Sequence, residues 1–421
     1  MQYIEIAGKK PLGGALTVHG AKNSVLPILS GAVLIEGESI LHHCPDLSDV
    51  AACGAIIAHL GGSVTREGDV LTVNTQQILS PTIPKALMEE MRSSIIFLGS
   101  LSARCGKACM FLPGGCKIGA RPIDMHLKAL KTLGYRITFD GSNICCERGD
   151  AKGASVTLPF PSVGATENVI LASVLLSGRT VITNAAREPE ISDLADYLNR
   201  AGARISGAGN SVIEIEGVSH LHTTEHTVIP DRILASTVMS AVAATGGDVL
   251  LKNVSLTHLV PVLGVYEEMG CRLYAGHHEL RIQSSRRPHA VKSIQTGVYP
   301  GFPTDSQAPV MASLCTARGS SVIKETIFEN RLQHAAELCR FGADIIVSDR
   351  TAIINGVKSL HAAEAYCTDL RGGAAVVIAA LCAEGTSRIY NIHHIDRGYE
   401  SMEHQFSLLG ADMRRVYDEK G

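Results

Sequence analysis

A cysteine, a lysine and an arginine fall within six residues of one another in Leu112-Pro113-Gly114-Gly115-Cys116-Lys117-Ile118-Gly119-Ala120-Arg121-Pro122. The glycines let this stretch turn in ways closed to other residues. A thiol beside fixed positive charge ionises more readily and reacts faster, which makes Cys116 a candidate nucleophile or proton donor. Pro122 suits a first helical position. Ile123, Leu127, Leu130 and Leu133 follow at helical spacing. Arg121 therefore stands where the backbone N–H groups and dipole of a helix start already favour an anion. The plain alternative is a glycine-rich surface turn with an incidental cysteine.

A second set of charged residues recurs along the chain. Lys22, Arg92, Gly164, Arg232, Asp305 and Arg371 each precede by 14 or 15 residues one of the glycines Gly37, Gly106, Gly178, Gly247, Gly319 and Gly385. Each spacing reads as a helix of small residues closed by its glycine. Further basic residues, Arg121-Pro122, Arg331-Leu332 and Arg397-Gly398, are expected to open second helices. Helix starts brought together with these side chains would form a pocket for a strongly anionic ligand, expected in the cleft between two domains. A solvated helix end is the ordinary reading of any single arginine here.

The elements that must position these residues also repeat. An apolar helix end followed by glycine recurs at Gly61, Gly134, Gly202, Gly270, Gly342 and Gly410, 68 to 73 residues apart. Each repeat reads helix, strand, helix, strand, strand, which predicts an α/β fold of six repeats, three per domain. The last repeat lacks residues to finish its sheet, so the N-terminal strands near Tyr3–Ile6 and Ala15–His19 are expected to complete it. The predicted domains are 21–230 and a discontinuous 1–20 plus 231–421. Six tandem solenoid repeats are the alternative.

Composition removes other classes. A chain of 421 residues is long for one core. Hydrophobic residues make up 45% with 4% aromatic and no Trp, so the core must be built of Ala, Val, Ile and Leu. A net charge of −3 without a basic tract argues against nucleic acid or an anionic membrane surface. The N-terminus has no apolar signal core, and the apolar run at 372–383 is too short to span a bilayer, so a cytoplasmic protein is expected. The 12 cysteines are expected to be reduced thiols, and Cys105, Cys109, Cys145 and Cys146 lack the spacing of a zinc site. No Walker or dinucleotide fingerprint occurs.

Joined in order, several motifs carry a resemblance that covers essentially the whole chain. They are Gly20-Ala21-Lys22-Asn23-Ser24, Pro113-Gly114-Gly115-Cys116 with Gly119-Ala120-Arg121-Pro122, Ser162-Val163-Gly164-Ala165-Thr166 and Ala186-Arg187-Glu188-Pro189-Glu190. They continue with Phe302-Pro303-Thr304-Asp305, Phe328-Glu329-Asn330-Arg331, Thr368-Asp369-Leu370-Arg371 and His394-Ile395-Asp396-Arg397-Gly398-Tyr399. The set resembles the enolpyruvyl transferases. That resemblance implies a two-domain inside-out α/β barrel closing over its substrates. It implies transfer of the enolpyruvyl group of phosphoenolpyruvate to a hydroxyl, with phosphate released and neither metal nor organic cofactor.

The cysteine-bearing lid resembles the branch of the family that uses UDP-N-acetylglucosamine and begins peptidoglycan precursor synthesis. The alternatives are the branch acting on shikimate 3-phosphate and a non-catalytic, sugar-nucleotide-binding paralogue. By resemblance the catalytic residues are Cys116 (proton donor, adduct site and target of the epoxide fosfomycin), Asp305 (base for the sugar hydroxyl), Lys22 and Arg397. Lys22, Asn23, Arg121, Arg331, Arg371 and Arg397 would hold phosphoenolpyruvate. Arg92, Arg121, Pro122, Ile123, Asp124, Met125, Pro161, Ser162, Val163, Gly164, Asp305 and Ile327 would hold the sugar nucleotide. His126 is a lesser candidate for touching substrate, and Glu188 and Glu190 are candidates to orient cations. Phe160 departs from the pattern, because many relatives carry lysine there. The expected state is a monomer.

Overall fold

A computed structural model of the chain describes residues 2–112, 119, 123–284 and 287–417, and at Arg92 the backbone alone. They divide into two compact units, a first of residues 2–19, 119 and 230–417 and a second of 20–112 and 123–229. In each unit one set of helices is buried on nearly every side, while others, such as Ser48–Leu60 and Leu256–Glu268, bury one face only. Lys22–Ala32 and Val163–Ser173 are the clearest cases in the second unit, and Arg232–Thr245, Thr304–Leu314 and Leu370–Cys382 in the first. A helix apolar all round belongs at the centre of a domain. Small residues let these helices approach, and their hydroxyls find partners: Ser30 Oγ meets Ser100 Oγ at 2.9 Å, and Ser313 Oγ donates to the Ser240 carbonyl at 2.8 Å. Such a core has little room for aromatic rings.

Six four-stranded sheets lie around these helices among the described residues, three in each unit. All six follow one plan, a parallel pair at one edge and then two antiparallel pairings. Their strands bury alternate residues, as in Gln2–Ala7, where Ile4 and Ile6 face the core and Glu5 faces Arg414 outside. That strand lies between Thr386–Tyr390 and Asp412–Tyr417, antiparallel to both. Leu12–Thr17 runs parallel beside Gly247–Lys252. In the second unit the late strand Thr224–Thr227 runs parallel beside Glu38–His42. Both series of glycines singled out in the sequence take positive φ. Gly247, at φ 122°, shows the reason: a Cβ there would collide with the Leu12 carbonyl oxygen across the parallel pair.

Three expectations are corrected. Arg331 and Arg397 do not open helices; both lie in turns, ahead of helices His334–Cys339 and Met402–Leu408. Ser401, left-handed at φ 39°, blocks an earlier start for the second of these. The helix after the glycine-rich stretch begins at Asp124, two residues beyond Pro122. Cys109 and Cys145 are not reduced thiols but a disulfide. They face each other directly in the antiparallel strands Lys107–Phe111 and Asn143–Glu147, with Cα atoms 4.2 Å apart. That is the spacing of a close antiparallel pair, which a 36-residue separation in sequence does not reveal. Among the described residues nine other cysteines are free.

The disulfide has a direct consequence. Alkylation of the unfolded chain without reductant, followed by proteolysis, will leave the Cys109 and Cys145 peptides joined, and reductant will separate them. Recovery of the two peptides separately before reduction, with Cys109 and Cys145 themselves alkylated, would contradict the pairing.

Candidate active site

In the first unit, side chains from two helix starts and one turn meet on Asp305. This residue is second in helix Thr304–Leu314, whose N-cap is Pro303, so it is not the capping residue. Its Oδ1 accepts from Arg331 Nη2 at 2.8 Å. Its Oδ2 accepts from Arg371 Nε at 3.1 Å and Nη2 at 3.0 Å. Arg371, 2% exposed, is second in helix Leu370–Cys382 and lies over the Tyr399 ring, 5.3 Å from its centroid. The Tyr399 hydroxyl meets Thr237 Oγ1 at 2.9 Å.

Asp369 caps the same helix, accepting from the Arg371 and Gly372 N–H groups, and stands 4.0 Å from Arg331 Nη1. Burial opposes charge on Asp369, but Arg331, His334 and those N–H groups outweigh it and hold the carboxyl below its ordinary range. His334 is fully buried and donates from Nδ1 to the Arg331 carbonyl at 3.1 Å. Burial pulls its pKa down to about 4, so it stays neutral near pH 7. Arg371, Asp305, Arg331 and Asp369 thus alternate in sign. Arg331 Nε and Arg371 Nη1 are buried N–H donors without a hydrogen-bond acceptor among the described residues. Such donors suit an added anion.

Glu325 sets the neighbouring loop. It is 1% exposed and accepts from Thr296 Oγ1 at 2.9 Å, Thr304 Oγ1 at 2.9 Å and the Ile327 N–H at 2.7 Å. It therefore ties Ile327 to the start of the Asp305 helix. Arg397 is half-buried in the turn before Tyr399, and the adjacent Asp396 is taken by Arg415.

In the second unit, Lys22 opens helix Lys22–Ala32 and is 7% exposed. Its Nζ lies 2.7 Å from Asp49 Oδ2. Asn23 beside it is half-buried. Ser162 caps helix Val163–Ser173 by accepting from the Ala165 N–H at 3.3 Å. The His126 ring, in helix Asp124–Thr132, lies against Gly164, where a Cβ would sit 3.1 Å from its Cε1. Asn168 joins the parts: it meets His126 Nδ1 at 3.0 Å, donates to the Ile95 carbonyl at 3.0 Å and accepts from the Gly99 N–H at 2.7 Å. It thereby links Asp124 and Met125, the short 3-10 helix opened by Arg92, and the Ser162–Gly164 cap. His126 is accordingly a packed, buried ring. Pro161 and Ile123 are half-buried, and Phe160 is 41% exposed. Cys116, Lys117, Arg121 and Pro122 lie outside the described residues.

The sequence reading passed over Asp49, Asp369, Glu325 and Asn168. Asp369 carried a signal, an Asp immediately ahead of a helix-forming run. The others gain meaning only from partners distant in sequence. Among the described residues no group of three or more His, Cys, Asp or Glu side chains is arranged to hold a metal ion, and no helix is long and apolar enough to cross a membrane.

Glu167 gives this half a pH signature. It is 6% exposed in helix Val163–Ser173, and burial, then Glu190 and Glu188, push its carboxyl up to about 8. Glu188 occupies the N-cap position of helix Pro189–Arg200 without a side-chain capping bond, and Glu190 is in its first turn. The folded form holds a proton here that the unfolded chain releases near pH 4.5. The stabilisation is therefore complete below that value and is lost as pH rises to about 8, on the order of a few kcal/mol in total. Thermal unfolding of the wild type and of Glu167→Gln between pH 5 and 8 will show the wild type losing stability relative to the variant as pH rises. A constant difference would contradict this protonation state.

Three comparisons bear on this arrangement. Residues 6–406 match the family described as EPSP synthase (3-phosphoshikimate 1-carboxyvinyltransferase). UDP-N-acetylglucosamine 1-carboxyvinyltransferase 2 of Caldanaerobacter subterraneus subsp. tengcongensis is 48% identical, over 99% of this chain and 100% of that one. The protein of the same name from Carboxydothermus hydrogenoformans is 46% identical, and UDP-N-acetylglucosamine 1-carboxyvinyltransferase of Desulfatibacillum aliphaticivorans is 43% identical, with the same coverage. Among solved structures, the enolpyruvyl transferase NikO from Streptomyces tendae superposes with a TM-score of 0.89 at 24% identity, over 99% of both chains. EPSP synthase from Acinetobacter baumannii superposes at 0.76 and 20%, over 99% of this chain and 100% of that one. These last two bear on the fold alone.

Proposed function

The chain belongs to the EPSP synthase family of enolpyruvyl transferases, and we propose that it moves the enolpyruvyl group of phosphoenolpyruvate to the 3-hydroxyl of UDP-N-acetylglucosamine, releasing phosphate. The observation that carries this acceptor over shikimate 3-phosphate is the 43–48% identity, over the full chain, to relatives named for it. The reaction begins peptidoglycan precursor synthesis, and we read its setting as the cytoplasm because both proposed substrates are water-soluble phosphorylated metabolites. We read the six four-stranded sheets as six copies of one repeat, three in each of two inside-out α/β barrels.

The chemistry asks for an acid, a base and several cations. The methylene carbon of phosphoenolpyruvate takes up a proton, and the adjacent carbon, now cation-like, is attacked by the sugar oxygen as its proton leaves. The tetrahedral phospho-ketal then expels phosphate and gives up a proton from the methyl group. Cys116 is assigned as proton donor and adduct site, since a thiol can serve both roles near neutral pH. Asp305 is assigned as the base. Its carboxylate is paired with Arg331 and Arg371. Phosphoenolpyruvate carries a phosphate and a carboxylate that compete for those guanidiniums, and their unfilled donors support that competition. Drawing the arginines toward the substrate frees Asp305 to receive the hydroxyl proton.

Lys22, Asn23, Arg121 and Arg397 complete the anion set. Arg92, residues 121–125, residues 161–164 and Ile327 hold the sugar nucleotide, with Phe160 supplying a ring and no charge. Closure of the Cys116 loop would keep water from the cation-like carbon.

Phosphate release from phosphoenolpyruvate will require UDP-N-acetylglucosamine and will not occur with shikimate 3-phosphate. The reverse preference would overturn the acceptor assignment, and release with neither would favour a binding protein without turnover. Fosfomycin will inactivate the wild type by alkylating Cys116, whereas Cys116→Asp will keep turnover and resist the epoxide. A variant that resists and has lost all turnover would contradict exchangeable acid roles at this position.

A further inference from the structure

A buried carboxylate that the proposed chemistry does not use is bonded to the first turn of the helix that Lys22 opens. Asp193, 3% exposed, is one turn into helix Pro189–Arg200. Its Oδ2 accepts from Ser24 Oγ and from the Ile229 N–H at 3.3 Å. Its Oδ1 accepts from His226 Nε2 at 2.8 Å. The Ile229 carbonyl in turn accepts from the Ala21 N–H at 2.7 Å. The His226 ring packs edge-on against Tyr197, with centroids 5.7 Å apart, and the Tyr197 hydroxyl meets Ser39 Oγ at 2.8 Å. One carboxylate therefore joins the first turn of helix Lys22–Ala32, the Glu188–Glu190 helix and the segment 224–229.

That first turn needs an external tie. Its N-cap is Ala21, which makes no side-chain cap. Pro27 lies inside the helix, so the Asn23 carbonyl has no N–H four residues ahead to receive. Two of the bonds that ordinarily hold a helix start are missing where Lys22 and Asn23 project. We infer that Asp193 is a positioning residue for the transfer reaction, acting through Ser24 to fix the place of Lys22 and Asn23. The inference rests on the phosphoenolpyruvate reading of Lys22. Small displacements of a positioned group are costly to the rate, so the effect belongs in the kinetics of that substrate.

The test removes the tie and leaves the rest of the node in place. Ser24→Ala severs Asp193 from the helix but keeps its bonds to His226 and Ile229. The expected result is a rise of about tenfold in KM for phosphoenolpyruvate, with KM for UDP-N-acetylglucosamine within about twofold of wild type and a cooperative thermal unfolding transition retained. Ser24→Thr, which keeps the hydroxyl, will restore the wild-type KM. A merely structural role would move both KM values together or only the unfolding temperature, and either result overturns the inference. Lys22→Gln is measured in parallel. If it raises KM for phosphoenolpyruvate while Ser24→Ala changes neither KM, the positioning role alone falls. If Lys22→Gln leaves that KM unchanged, the reading of Lys22 falls and the inference with it.

Discussion

A carboxylate between two buried guanidiniums governs the first unit. Arg371 and Arg331 are almost inaccessible to water, and charged groups are tolerated there only when paired and hydrogen-bonded. Asp305 and Asp369 supply that pairing, each from a helix start. Asp305 is shared by both arginines, so neutralising it weakens both pairs at once, while an amide in its place still offers one guanidinium an acceptor. The same constraint suits the chemistry. On the proposed reading, cations held by exchangeable carboxylate contacts would receive the phosphate and carboxylate of phosphoenolpyruvate. Lys22 with Asp49 repeats the device in the second unit.

The fold makes such helix starts available. Central helices of Ala, Val, Ser and Gly pack closely and carry almost no charge along their length, so polar groups gather at their ends. Sheets outside them are buried on one face only, and glycines of positive φ end the helices and turn the chain into the strands that follow. Second-row groups then hold the ends in place: Glu325 under Ile327 and Thr304, Asn168 under His126 and Ile95, Asp193 under Ser24. None of these groups needs to touch substrate for its loss to be felt there.

Much of this was legible in the residues. Helix starts at Lys22 and Arg232 follow from the distance back to Gly37 and Gly247, and Asp305 and Arg371 fall one residue inside theirs. What stayed hidden were pairings across distance. Arg371 meets a carboxylate 66 residues away and Ser24 one 169 residues away. Cys109 finds Cys145 only because strand register sets them opposite. Arg331 and Arg397 look like helix openers in sequence, but the turns that hold them depend on local backbone, such as left-handed Ser401, that residue type does not announce. The organising cysteine of the sequence reading, Cys116, falls outside the described residues together with Arg121.

The most direct measurement is the single-turnover rate of Asp305→Asn with both substrates bound. Asparagine keeps the size of the side chain and an acceptor for one guanidinium, but it cannot take the hydroxyl proton. The rate of the chemical step should fall by about 10²–10⁴ while phosphoenolpyruvate and UDP-N-acetylglucosamine still bind. A rate within about threefold of wild type would contradict the base role and reduce Asp305 to a partner for its arginines.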